Sequence, residues 1–79
     1  MELDLFYKDD CGFCASVLNT INNLKIQDKV NLKNVQEEVE FEKELVIECG
    51  DSQVPTLFID GSPMRESEEI KRFLVQTFM

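Results

Sequence analysis

Residues 8–14 read Lys-Asp-Asp-Cys-Gly-Phe-Cys (KDDCGFC) and place Cys11 and Cys14 two residues apart in a chain without histidine. Downstream, Cys14, Val17, Leu18 and Ile21 recur at i, i+3, i+4 and i+7. That is one apolar stripe of an amphipathic helix starting near Cys11. The stripe fades at Asn22 and Asn23, which weaken helices. Upstream, "ELDLFY" alternates: Leu3, Leu5 and Tyr7 share one face, Glu2, Asp4 and Phe6 the other. This predicts a strand, with Phe6 indicating that both faces are covered near its end. The cysteine pair therefore occupies a strand-to-helix turn.

Residues i and i+3 of a helix face the same side. Cys11 stands at the helix mouth, where free N–H groups and the positive dipole end favour a thiolate. Cys14 begins the apolar stripe and is expected to be buried. This asymmetry makes Cys11 the attacking thiolate and Cys14 the resolving thiol. The charges of Lys8, Asp9 and Asp10 oppose one another and act through water, so the helix terminus should dominate. One of the aspartates is a candidate N-cap. Phe13, between the cysteines, cannot join the stripe and is a candidate substrate contact. A structural zinc site needs about four ligands, and only Cys49 remains beside the pair. Cys49 reads as a small apolar helix residue.

Further along, "VNLKNV" reads as a short strand and "EEVEFEKELVIECG" as a helix. In that helix Phe41, Leu45 and Cys49 form the stripe, with Val39 and Val46 beside it. Acids suit its start, and Gly50 suits its C-terminal end. "VPTLFID" is a strand, "DGSP" a turn, and "PMRE" a short return strand. Ile70, Phe73, Leu74 and Phe78 mark a last helix, with Ser67 as candidate N-cap. The order β-α-β-α-β-β-α predicts a parallel, right-handed βαβ unit followed by an antiparallel pair. The expected fold class is α/β: a four-stranded mixed sheet flanked by three helices. With Cys-x-x-Cys opening the first helix, this is the minimal thioredoxin-like arrangement.

The 79 residues are expected to form a single domain, 1–79. Composition is that of a globular chain, 43% hydrophobic and 30% charged. Sixteen acids against eight bases give a net charge of −8. That excludes nucleic acid as a main partner, because phosphate binding needs clustered Lys and Arg. It also argues against an anionic membrane surface. The charge serves solubility or, more sharply, steering towards basic protein partners. The N-terminus has neither a basic leader nor an apolar run, and no stretch approaches a membrane span. A cytoplasmic location is expected, where thiols stay reduced and a disulfide of this pair is transient.

"KDDCGFC", "QVPTLFIDG" and "MRESEEIKRFL" together resemble glutaredoxins and the N-terminal domain of glutathione transferases. The resemblance spans nearly the whole chain. It implies that Lys8 is the lysine three before the nucleophile and that Cys11 and Cys14 are the redox pair. Val54-Pro55 would be the cis-proline step whose backbone edge pairs with an extended thiol peptide such as glutathione. Glu66-Ser67 matches the transferase pair that holds the γ-glutamyl end. Ser67 with helix N–H groups suits its carboxylate, and Glu66 suits its ammonium. Two departures stand out. Glutaredoxins commonly carry Pro-Tyr where this chain has Gly12-Phe13, and Gly-Gly where it has Arg65-Glu66.

The resemblance implies a glutathione-dependent thiol–disulfide oxidoreductase, with glutathione as co-substrate and no tightly bound cofactor or metal. Its partners would be glutathione and disulfide-bearing or glutathionylated proteins, acting on a monomer. The transferase's all-helical second domain is missing, so conjugation of electrophiles is not expected. Two alternatives stand beside this reading. One is a thioredoxin-like electron donor to a specific protein. The other is a carrier of a [2Fe–2S] cluster, held between two subunits by the nucleophilic cysteine and glutathione.

Overall fold

The computed structural model describes residues 1–79. Strands β1 (Leu3–Tyr7), β2 (Asn31–Asn34), β3 (Thr56–Ile59) and β4 (Ser62–Met64) alternate with helices α1 (Gly12–Leu24), α2 (Val39–Cys49) and α3 (Ser67–Phe78). They form one sheet in the order β2-β1-β3-β4. β1 and β2 are parallel, with Leu5 opposite Leu32. β3 is antiparallel to both β1 and β4. This is the expected order of elements and the expected strand senses.

The β3–β4 turn consists of Asp60 and Gly61, both at positive φ. That is the geometry a two-residue hairpin requires, and Asp-Gly is a favoured pair for it. Asp60 also fastens the N-terminus: the Glu2 N–H donates to its Oδ1 at 2.7 Å. Gly50 ends α2 at φ 83°. A short 3-10 turn, Gln27–Lys29, links α1 to β2 and was not foreseen. It carries no buried residue itself, but Ile26 and Val30 on either side of it enter the core.

Alternation in β1 determines which residues meet. Leu3 and Leu5 join Val17, Ile21, Leu57, Ile70 and Leu74 in the larger core. That cluster lies between the sheet and the α1–α3 layer, and Tyr7 packs against it. Phe6 points the other way, to Leu45 of α2 and Phe58, with the Phe6 and Phe58 rings edge-to-face at 5.4 Å. No helix is long and apolar enough to cross a membrane.

Candidate active site

β1 ends at Tyr7, and the chain turns through Lys8–Cys11 before α1 begins at Gly12. Cys11 itself is the N-cap, in extended conformation at φ −119° and ψ 114°. The Cys14 N–H donates to Cys11 Sγ at 3.1 Å, and the Ala15 N–H donates to the Cys11 carbonyl at 2.9 Å. The first turn thus presents an N–H group to the sulfur. Cys11 is half-buried, whereas Cys14 is fully buried. Burial first, then the hydrogen bond with Cys11, push the Cys14 thiol up to about 12; the nearby Lys8 backbone opposes this. Cys14 therefore stays protonated at neutral pH.

Neither aspartate caps α1, contrary to expectation. Both turn towards the end of β2 and the segment that follows it. Asn34 Nδ2 donates to Asp9 Oδ1 at 3.0 Å, and Gln36 Nε2 donates to Asp10 Oδ1 at 3.1 Å. The Asp9 N–H donates to Gln36 Oε1 at 2.9 Å. The cap position falls to Cys11 because the aspartates are needed to fasten this loop. Asn34 is buried and in turn accepts from the Gln36 N–H. Nothing local in the sequence marks Asn34 or Gln36 for this role.

The loop before β3 forms a second wall. The Val54–Pro55 bond is cis. Thr56, fully buried, donates its hydroxyl to the Gln53 carbonyl at 2.8 Å. It accepts from Arg65 Nε at 3.2 Å. The Arg65 guanidinium also forks onto both oxygens of Asp51 and reaches the Gln53 carbonyl at 3.3 Å. Arg65 accordingly holds the Asp51 carboxyl below its ordinary range, and Asp51 raises the Arg65 guanidinium. This clasp was missed in the sequence, where Arg65 stood out only as a departure from Gly-Gly.

The third wall is the start of α3. Glu66, not Ser67, is its N-cap residue, and its side chain makes no capping bond. Ser67, the expected cap, is instead the first helical residue, one position beyond the cap, because the extended backbone runs through Glu66. Phe13, Val54, Pro55, Glu66 and Ser67 come together, with Gln53 and Arg65, around a depression of about 150 Å³. Phe13 is 70% exposed at its rim. Lys8 does not line it. Lys8 opens instead onto a groove of about 720 Å³ with Val35, Gln36, Glu37, Glu38, Val39, Glu42 and Ser52. Cys49 packs against the Phe6–Leu45–Phe58 cluster.

Residues 3–64 match the sequence model of the Glutaredoxin family. The chain belongs to the glutaredoxin family. Family membership supports a thiol redox role for it. No curated protein sequence matches this glutaredoxin closely enough to register. Among solved structures, a diazinon-metabolizing glutathione S-transferase of the silkworm Bombyx mori superposes with a TM-score of 0.76 at 20% identity. The match covers 99% of this chain but only 38% of the transferase, so the glutaredoxin chain spans well under half of that protein. A thioredoxin-like protein matches over 99% of this chain and 100% of its own, with a TM-score of 0.74 at 17% identity. A buckwheat glutaredoxin, solved as a glutathione complex, matches at TM-score 0.69 and 24% identity. That match covers 96% of this chain and 74% of the buckwheat protein. At these identities the likenesses establish the thioredoxin-like fold.

Proposed function

We propose that this glutaredoxin is a glutathione-dependent thiol–disulfide oxidoreductase acting through Cys11 and Cys14. The observation that carries the reading is the unequal placement of the two sulfurs. One caps the helix and is half-buried; the other is sealed beneath it and stays protonated. The Cys11 thiolate attacks one sulfur of a protein disulfide or protein–glutathione disulfide. A Cys11–S bond forms, the substrate S–S bond breaks, and one thiolate leaves. Cys14 then loses its proton and attacks Cys11 Sγ, closing the Cys11–Cys14 disulfide and releasing the second thiol. Two glutathione thiols reduce that disulfide and become glutathione disulfide.

Glutathione would lie in the depression between Phe13, the Val54 backbone and the start of α3. Its γ-glutamyl end would reach Glu66 and Ser67, its cysteine Cys11. The buckwheat relative's complex lends support by analogy of fold. The same reading takes the chain as a monomer at work in the cytoplasm. One observation supports a second reading, a thioredoxin-like donor to one protein: no free base lines the depression. Lys8 opens elsewhere, and Arg65 is engaged by Asp51.

Exposure to oxidised glutathione followed by mass spectrometry of the digested protein tests the assignment. Cys14→Ser should accumulate a glutathione adduct on Cys11, and Cys11→Ser should accumulate none. An adduct on Cys49 instead would overturn the roles.

A further inference from the structure

α2 covers its side of the sheet with Phe41, Leu45 and Cys49. Its opposite face is left uncovered. There Val39, Val46 and Ile47 are 58%, 42% and 79% exposed. Positions i, i+7 and i+8 fall on one side of a helix, and here Glu42 and Lys43 stand between them at i+3 and i+4, so Val46 and Ile47 form an apolar pair two turns from Val39. Val39 also lines the large groove, together with Lys8 and Ser52. Glu42 borders both the Val46–Ile47 pair and the groove, and the groove runs to the residue three before Cys11.

The charge around this surface indicates its occupant. Glu37, Glu38 and Glu42 line the groove against the single base Lys8. Lys43 is the only base on α2, beside Glu40, Glu42, Glu44 and Glu48. Lys33, the next base, is already paired with Glu44 at 3.2 Å. An anionic partner would meet uncompensated carboxylates, whereas a cationic one is attracted along the groove towards Cys11.

We propose that the α2 face and its groove dock the protein substrate, and that this substrate carries Lys or Arg beside an apolar side chain near its disulfide. The proposal rests on the oxidoreductase reading and names its substrate class. The apolar side chain covers Val46 and Ile47, and the basic ones meet Glu37, Glu38 and Glu42. Glutathione, with a net negative charge, gains nothing from this surface.

Rates at which the pre-reduced dithiol protein, in the absence of added glutathione, reduces three disulfides test it: glutathione disulfide, a peptide disulfide with lysines flanking leucine, and the same peptide with glutamates for the lysines. The wild type should prefer the lysine peptide roughly tenfold or more in kcat/KM at low salt. That preference should shrink as salt screens it. The triple variant Glu37→Gln, Glu38→Gln, Glu42→Gln should lose most of it while reducing glutathione disulfide no more slowly. Val46→Ser with Ile47→Ser should raise KM for the lysine peptide and leave kcat in place. Equal rates for the two peptides, or a preference the triple variant keeps, would overturn the docking proposal alone. Failure to reduce any of the three disulfides would instead sink the oxidoreductase reading and this proposal with it.

Discussion

The two faces of the sheet are built to different depths. On the α1–α3 side nine residues are buried in one cluster, drawn from two helices, two strands and the α1–β2 connection. On the α2 side only Phe6, Leu45 and Phe58 are buried. The deep side holds Cys14 in place beneath Cys11, because α1 is anchored there through Val17 and Ile21. The shallow side spends fewer apolar residues inward and leaves others facing outward. Chemistry that needs one thiol sealed and one presented therefore stands on the deep layer, while the shallow layer offers the surface.

Truncation should expose this difference most strongly. Leu5 and Leu45 are both fully buried, so the lost transfer free energy is similar. What differs is the capacity to collapse into the cavity, which governs cost at fixed chemistry. Around Leu45 the half-buried Val35, Phe41 and Val54 can move inward. Leu5→Ala should cost near the top of the usual range of about 2–5 kcal/mol, and Leu45→Ala near the bottom. Urea unfolding measures both, and equal losses would mean that the two sides are packed alike.

Next in size is the alkaline behaviour of the deep side. The Cys14 thiol is raised from 9.0 to about 12 in the fold. A raised folded value means that the protonated form is the one the fold favours. The stability this contributes is fully present below pH 9.0 and is lost as pH rises towards about 12. Reduced Cys14→Ala should therefore lose less stability over that window than the reduced wild type. Parallel curves for the two proteins would mean that Cys14 is not sealed.

Much of this architecture was legible in the sequence, for a physical reason. Alternation in Leu3–Tyr7 and the stripe from Cys14 to Ile21 are local periodicities that report directly on which side is covered. Phe6, on the polar side of the alternation, indicated that both faces are covered near the strand's end. The misses are non-local. Asp9 or Asp10 reads as a helix cap until Asn34 and Gln36, far along the chain, arrive beside them. Ser67 reads as a cap until the chain's path makes Glu66 the last extended residue. Lys8, near Cys14 in the fold as well as in sequence, also lines the groove shared with α2.

A smaller effect concerns the depression at the α3 start. Losing a hydrogen bond to a charged group costs about 1.5–3 kcal/mol. Glu66→Ala or Ser67→Ala should thus weaken glutathione use roughly tenfold or more. A disulfide substrate that does not use the depression should react almost as before. The ratio of kcat/KM values separates this from a general loss of fold, which lowers both. Equal responses would shift the preference to the thioredoxin-like reading.

The smallest effect lies where the two sides are tied together. Asp51 follows Gly50 at the end of α2, and Arg65 precedes Glu66 at the start of α3. Their clasp spans the layers on the surface, so its worth is limited by solvent screening. Arg65 lowers the Asp51 carboxyl below its ordinary 3.8. A lowered folded value means that the charged form is favoured by the fold. Its stabilising contribution is present above pH 3.8 and fades as acid protonates Asp51 below that. Asp51→Asn should therefore show a slightly shallower acid limb of stability than the wild type, and a lower plateau at neutral pH. Arg65→Met should do the same, because Met fills similar space without the fork. Its added loss should fall on the loop at Gln53, whose carbonyl Arg65 also holds. Amide exchange at Gln53 and Val54 would read that loosening, with the Leu5 core unchanged. If both variants keep the wild-type acid limb and the same exchange, the clasp carries no energy, and the two faces are joined by the sheet alone.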